Sequence, residues 1–380
     1  MLRAKSFRIC IIILSIGLLF NNPSFNSFTA SAISSSTGIL EPLYVLPYNK
    51  TNNPPTFNWA PVNNTKTNYP HVPFFVIVNV AVGPGPVTCV RDYQNGIANL
   101  TKSGTVVLGY VDTSYGNGTV SFKNATAQID IWKNCYPQIK GIFLDQMSNN
   151  PTSDILSYYK NITKYIHVNK TLTYSFGNPG TDTDPKFFGS VDNLNIYESQ
   201  GTFPSNATLQ GKSLWHLTHG KKNFSFLVYG KPNLLSSSFI QGKSVYVGFM
   251  FVTNDAAAGS GDTVPWNNIP SQTWLNTLAA DLNINSVLLK IQTNNMSDNV
   301  VLSGLPTLYK QSNNLVEIGA STLFYNATQG WQYKIVAQNK IPYCFNHWDN
   351  GATNSSRIIT APAVSTTYMA YYNKTVASTC

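Results

Sequence analysis

Charge is what this chain has least of. Asp, Glu, Lys and Arg make up 11% of it, and glutamate occurs three times, at Glu41, Glu198 and Glu317. Its surface must therefore be wetted by Asn, Ser, Thr and Tyr rather than by ion pairs. The formal charge is +9, but Arg3, Lys5 and Arg8 sit together at the start and the remainder is scattered. No basic run is interleaved with aromatics, which argues against nucleic acid as a partner and leaves only an unspecific affinity for anionic surfaces. The five cysteines include no Cys-x-x-Cys, so no metal site is expected. GxSxG, P-loop and Rossmann glycine patterns are all missing, and no cofactor is expected. Beyond residue 20 no apolar run is long enough to span a bilayer, so the mature chain should lack a transmembrane segment.

What is present begins with a basic leader, an apolar core from Ile9 to Phe20 and the small-x-small signal Ala30-Ser31-Ala32. Residues 1–32 read as a signal peptide, with Ile33 opening the mature chain. Export fits about a dozen Asn-x-Ser/Thr sequons, Asn99, Asn161, Asn206, Asn326 and Asn373 among them. The expected location is secreted or at the cell surface. Cys10 leaves with the leader. Cys89, Cys135, Cys344 and Cys380 remain, and an even number in an exported chain favours disulfides. Of three pairings, Cys89–Cys135 with Cys344–Cys380 is the simplest, because each bond then stays within one domain.

After a short linker (33–41), the stretch 42–290 alternates short apolar runs with amphipathic segments. Strands are expected at Leu43–Pro47, Phe74–Val80, Val106–Val111, Gly141–Asp145, Leu172–Phe176, Leu194–Tyr197, Phe224–Tyr229 and Val245–Val252. Helix-like stretches lie between them, such as Cys89–Thr101, Ala125–Tyr136, Asp154–His167, Ala207–His219 and Ser271–Leu282. Strand–helix alternation implies a parallel sheet. Eight repeats match an α/β fold of the (β/α)8 TIM-like barrel type, with a doubly wound open sheet as the alternative. Residues 291–298 read as a second linker. From 299 to 380 the runs are short, β-branched or aromatic and broken by turn residues, which describes a small all-β module.

In a parallel barrel, chemistry sits at the C-terminal strand tips. The run Gly141-Ile142-Phe143-Leu144 ends on Asp145-Gln146, and Leu194-Asn195-Ile196 ends on Tyr197-Glu198. Other tips carry Tyr44, Asn79, and the set Tyr110, Thr113 and Tyr115. Two carboxylates at separate tips are the minimum equipment of a glycosidase. Aromatic faces stack on sugar rings, while amides bind hydroxyls. The plainer reading is polar strand ends in a chain where tyrosine is common.

Several of these segments together are similar to the spherulin-4 (spherulation-specific) family. They are Pro42-Leu43-Tyr44-Val45, Ile77-Val78-Asn79 followed by Gly83-Pro84-Gly85, Leu108-Gly109-Tyr110-Val111-x-Thr113-x-Tyr115, and Gly141-Ile142-Phe143-Leu144-Asp145. The resemblance runs from about Pro42 to Thr253. It implies a secreted (β/α)8 glycoside hydrolase acting on α-1,4-linked galactosamine and N-acetylgalactosamine polymers, with Asp145 and Glu198 as the acids ending the fourth and sixth strands. One position departs. The family pattern after the fourth strand is usually Asp-Glu, and here it is Asp145-Gln146. Glutamine keeps the size and hydrogen bonding of glutamate but transfers no proton.

The expectation is an endo-acting hydrolase with Asp145 and Glu198 catalytic, and Tyr44, Asn79, Tyr110, Thr113, Tyr115, Gln146 and Tyr197 binding substrate. Its partner is a carbohydrate polymer, and a monomer is expected. The competing expectation is an inactive glycan-binding surface or matrix protein. His216-Leu217-Thr218-His219 reads as a solvated helix end rather than a metal site. Trp266 and Asp255 are further candidates for the cleft wall. In the tail, Phe345-x-x-Trp348-x-x-Gly351 and Ala370-x-Tyr372 are similar to β-repeat modules of bacterial and archaeal surface proteins. There Trp348 is a core residue and the module spaces or tethers the barrel.

Overall fold

A computed structural model of the protein describes residues 36–233, 236–255, 265–284, 286–298, 300–302, 307–311, 314–319, 322–377 and 379–380. The leader and its cleavage signal lie outside the described residues. Eight parallel strands close into a barrel: β1 (Gly38–Leu43), β2 (Phe74–Val78), β3 (Val106–Asp112), β4 (Gly141–Asp145), β5 (Tyr174–Gly177), β6 (Asn193–Gln200), β7 (Phe224–Tyr229) and β8 (Phe249–Val252). The ladder runs in chain order and β1 pairs with both β2 and β8. The strands are near-continuous apolar runs because both faces are covered, as in β2, buried throughout its length.

The helices between them are α1 (Ala60–Asn68), α2 (Arg91–Lys102), α3 (Phe122–Cys135), α4 (Ser153–Lys164), α5 (Asn206–Gln210), α6 (Ser237–Ser244) and α7 (Gln272–Leu282). In α2, Tyr93, Ile97 and Leu100 recur at helical spacing and are the buried residues, with Gly96. Ser121, Thr152 and Ser271 cap their helices by accepting from backbone N–H groups three residues on. Low in the barrel the rings of Phe75, Phe176 and Phe249 meet at centroid distances of 4.6–5.7 Å, forming an aromatic floor.

The C-terminal strands form two four-stranded sheets. One combines β9 (Ser286–Asn295), β12 (Thr322–Thr328), β14 (Tyr343–Trp348) and β16 (Thr366–Lys374) in the order β12-β9-β16-β14. The other combines β10 (Thr307–Gln311), β11 (Asn314–Gly319), β13 (Gln332–Ala337) and β15 (Ser356–Thr360) in the order β11-β10-β13-β15. Trp348 is fully buried, and its indole N–H donates to the carbonyl of Asn354. Cys89–Cys135 and Cys344–Cys380 are both disulfides. The Gln210 side chain donates to the Leu315 carbonyl, joining barrel and module.

Several boundaries differ from the sequence reading, most of them strand ends displaced by a few residues, as in Phe249–Val252 for the expected Val245–Val252. The first strand is Gly38–Leu43, not Leu43–Pro47. Glu41 interrupts the apolar run in the sequence, yet the strand buries it, so residues 38–41 belong to the barrel and not to a linker. The stretch 291–298 is not a linker either. Its polar Thr293 and Asn294 are buried within β9, and the Thr293 hydroxyl donates to the Leu302 carbonyl. Helices α1 and α6, with apolar faces too weak to announce themselves, complete the outer ring.

Candidate active site at the mouth of the barrel

A cleft of about 710 Å³ opens at the C-terminal ends of the strands. Asp145 and Glu198 both line it, as do Tyr44, Asn79, Tyr110, Gln146, Asn178 and Trp266. Asp145 ends β4. Its Oδ2 accepts from the Tyr110 hydroxyl at 2.8 Å and its Oδ1 from the Asn178 amide at 2.8 Å. The same Asn178 nitrogen donates to Glu198 Oε2, also at 2.8 Å. Two bonds of that length from one atom leave the accepting oxygens no more than about 5.6 Å apart, and roughly 5 Å for a trigonal amide.

Glu198 reaches the cleft through an irregularity in β6. Strand side chains alternate in direction, so Asn195 and Tyr197 would share one face. The pairing of β6 with β7 shifts register between Asn195 and Glu198, which inverts the alternation. Glu198 then faces the cleft. Tyr197 does not line it, and its hydroxyl donates to the Thr202 carbonyl instead.

Tyr110 is placed from behind. Gly109 lies so close to Trp132 that a Cβ there would stand 2.5 Å from the indole. That contact lets the Trp132 N–H donate to the Tyr110 carbonyl at 2.7 Å. Gln146 follows Asp145 with φ of 49°, in the left-handed region unusual for a side-chain-bearing residue. Its carbonyl accepts from the Tyr115 N–H and the Thr113 hydroxyl, which hold the turn.

Burial is the main influence on both acids. It pushes Glu198 from 4.5 up to about 7, opposed by the Asn178 and Trp266 donors and reinforced by the charge of Asp145. Asp145 is raised by desolvation, against which the bonds from Tyr110 and Asn178 work. The Tyr44 phenol is held well above its usual range by burial and then by the charge of Asp145.

Of the binding residues expected from sequence, Tyr44, Asn79, Tyr110 and Gln146 line the cleft. Asn79 spends its Oδ1 on the Gly83 N–H, so its amide N–H₂ is the part left for a ligand. Thr113 is not a cleft residue. It is fully buried, and its hydroxyl bonds to the backbone of Asp145 and Gln146 beneath the site. Tyr115 is 56% exposed and stands outside the cleft lining. Trp266 lines the cleft, whereas Asp255 binds Asn268 away from it. His216 is not solvated. It is buried, with Nδ1 3.0 Å from the Leu209 carbonyl and Nε2 3.0 Å from Asp182, a carboxylate far away in sequence. Among the described residues, no group of three His, Cys, Asp or Glu is placed to hold a metal.

Sequence reasoning missed Asn178, and Asn195 behind it. Neither terminates an apolar run with a charge. The one available signal was the position of Asn178 just past the β5 tip, in Tyr174-Ser175-Phe176-Gly177-Asn178.

Fold and site together define the class: a parallel (β/α)8 barrel carrying a close pair of carboxyls in a cleft at its C-terminal mouth. The model of spherulation-specific family 4 matches residues 38–280, and the chain belongs to that family. Spherulin-4 of Physarum polycephalum is 31% identical over 229 residues, which are 58% of this chain and 64% of that protein. The chain thus matches less than two-thirds of that relative's length. The crystal structure of Aspergillus clavatus Sph3 in complex with GalNAc is similar with a TM-score of 0.51 and 21% identity, over 66% of this chain and 99% of that one. That likeness is one of fold.

Proposed function

We propose that this protein is an exported glycoside hydrolase that cuts a polysaccharide of α-linked N-acetylgalactosamine or a related amino sugar, within the chain and with retention of configuration. The observation that carries the reading is the Asp145–Glu198 pair held on one amide. A retaining enzyme needs carboxyls about 5–5.5 Å apart and an inverting one roughly 6.5–9.5 Å, so the spacing favours the first. Asp145, doubly hydrogen-bonded as an anion, suits attack on the anomeric carbon. Glu198, raised to about 7 by burial, suits the acid that protonates the leaving oxygen and then activates water. Tyr44, Tyr110 and Trp266 offer ring faces and polar edges to a sugar. The GalNAc bound to the Sph3 relative supports the sugar class. Two disulfides fit an oxidising destination, and no described helix is long and apolar enough to cross a membrane.

Gln146 favours a second reading, a glycan-binding protein without turnover, because it stands where the family usually carries an acid. Incubation with a panel of acetylated and de-N-acetylated amino-sugar polymers separates the two. Release of reducing ends, absent in Asp145→Asn, supports hydrolysis. Retention on the polymers without release supports binding alone.

A further inference from the structure

Asn178 is tied down on every side. Its backbone N–H donates to the Leu144 carbonyl on β4, and its own carbonyl accepts from Met147 N–H, both at 2.9 Å. Its side-chain Oδ1 accepts from the Asn195 amide at 2.6 Å. Asn195 is buried, and its Oδ1 lies 3.5 Å from the Ser225 hydroxyl. This hydroxyl also donates to Asn193 Oδ1 at 2.6 Å. A donor on Oδ1 fixes which end of the Asn178 amide is nitrogen. The Asn195–Asn178 pair therefore aims both N–H bonds of one group at Asp145 and Glu198.

We propose that Asn178 is a positioning residue that sets the spacing of the two acids and keeps both able to ionise, and that Asn195 acts through it by locking its amide. The kinetic half of this proposal rests on the hydrolase reading above; the titration half does not. A neutral donor is the group suited to the task. Lysine or arginine between two carboxyls would hold both ionised, removing the proton that a general acid must carry. An apolar residue would leave two buried anions facing each other, and one of them would take a proton permanently. An amide stabilises each anion modestly and equally, so that burial and mutual repulsion still separate them. Asn178 lowers both acids against the raising effect of burial.

Three glutamates in the chain make the titration directly readable. In protein labelled with ¹³C at glutamate carboxyls, Glu41, Glu198 and Glu317 give three resonances, assigned with Glu41→Gln and Glu198→Gln. Removing the donor in Asn178→Ala should move the Glu198 midpoint upward by about one pH unit. Asn195→Asp should move it in the same direction without touching either acid. The new carboxylate needs a donor, so the Asn178 amide turns and presents its oxygen to the site. The Glu41 midpoint, on β1 outside this network, should stay in place in both. Should Asn178→Ala fail to fold, Asn178→Ser and Asn195→Asp carry the test.

In kinetics on the cleaved polymer, the alkaline limb of kcat/KM should shift by the same amount as the Glu198 midpoint, with kcat reduced more than KM is raised. If the wild type cleaves polymer while the Glu198 midpoint and the limb stay fixed in Asn178 and Asn195 variants, the positioning role is overturned and the hydrolase reading stands. If no polymer is cleaved but the midpoint shifts, the hydrolase reading fails and the control of ionisation by Asn178 survives.

Discussion

The Tyr110 hydroxyl donates to Asp145 at 2.8 Å, and with Asn178 on the other oxygen both lone-pair faces of this carboxyl are engaged. The two donors orient the carboxylate and favour its anion against the raising effect of burial. Tyr110→Phe removes one of two stabilising bonds while leaving the ring that packs edge-on against Tyr44. The acid limb of the pH–rate profile should move to higher pH, because an Asp145 already raised by desolvation loses a donor that opposed it. The rate at the optimum should fall about tenfold, in line with one hydrogen bond to a charged group. An unmoved acid limb in this variant would show that the bond does not govern Asp145.

The two acids should separate by leaving group. Asp145→Asn should abolish turnover on every substrate. Glu198→Gln should lose on the order of 10²–10⁴-fold on polymer but spare activated aryl glycosides, whose departure needs no proton. Initial rates on both substrate types decide it. The opposite pattern exchanges the roles.

Glu198 also fixes a pH dependence. A general acid works while protonated, and its folded value is raised from 4.5 to about 7. Activity should therefore be full below about pH 6 on this limb and fall as pH rises through 7. A kcat/KM profile still flat at pH 8 contradicts the assignment.

Glu41 supplies a stability test. It is fully buried in β1, neither of its oxygens has a hydrogen-bond partner among the described residues, and burial raises it from 4.5 to about 8. The unfolded chain ionises it near 4.5 while the folded one keeps it protonated. Stability is thus fully present below pH 4.5 and drains as pH rises toward 8, at most about 1.4 kcal/mol per pH unit from this group. Glu41→Gln should flatten that part of the curve. In thermal melts of both proteins across pH 4–9, the wild type should lose stability relative to Glu41→Gln between about pH 4.5 and 8, and parallel curves through that window would refute the effect.

The Cys344–Cys380 bond closes a 36-residue separation around the β module. Replacing both cysteines by serine should destabilise the module by about 3–4 kcal/mol on the chain-entropy account. Melts under non-reducing conditions read this, and the barrel's own cleft, carried on other elements, should keep its pH profile.

Much of the barrel was legible because parallel strands covered on both faces leave near-continuous apolar runs, and Gly141–Asp145 and Phe224–Tyr229 match their sequence boundaries. The failures share a cause. Where a polar residue is buried with a partner from elsewhere, composition misleads. Thr293 looked like linker, His216 looked solvated, and Glu41 hid the first strand. The site divided in the same way. Asp145 was legible as a charge ending an apolar run. Asn178 was not, because its importance lies in what converges on its amide, and that convergence comes from two other strands, β4 and β6.

The shift in β6 gives the site an odd-or-even character. Facing in or out along a strand is decided by counting residues, so one extra position between Asn195 and the mouth exchanges an acid for a phenol there. The same sequence in unbroken alternation, without the irregularity, would keep every carboxylate it has and turn Tyr197 inward in place of Glu198. Hydrolysis would stop while an aromatic sugar-holding surface remained. Between an acid and a phenol at this mouth, the distance is one residue of pairing register, a change that a comparison of composition would never register.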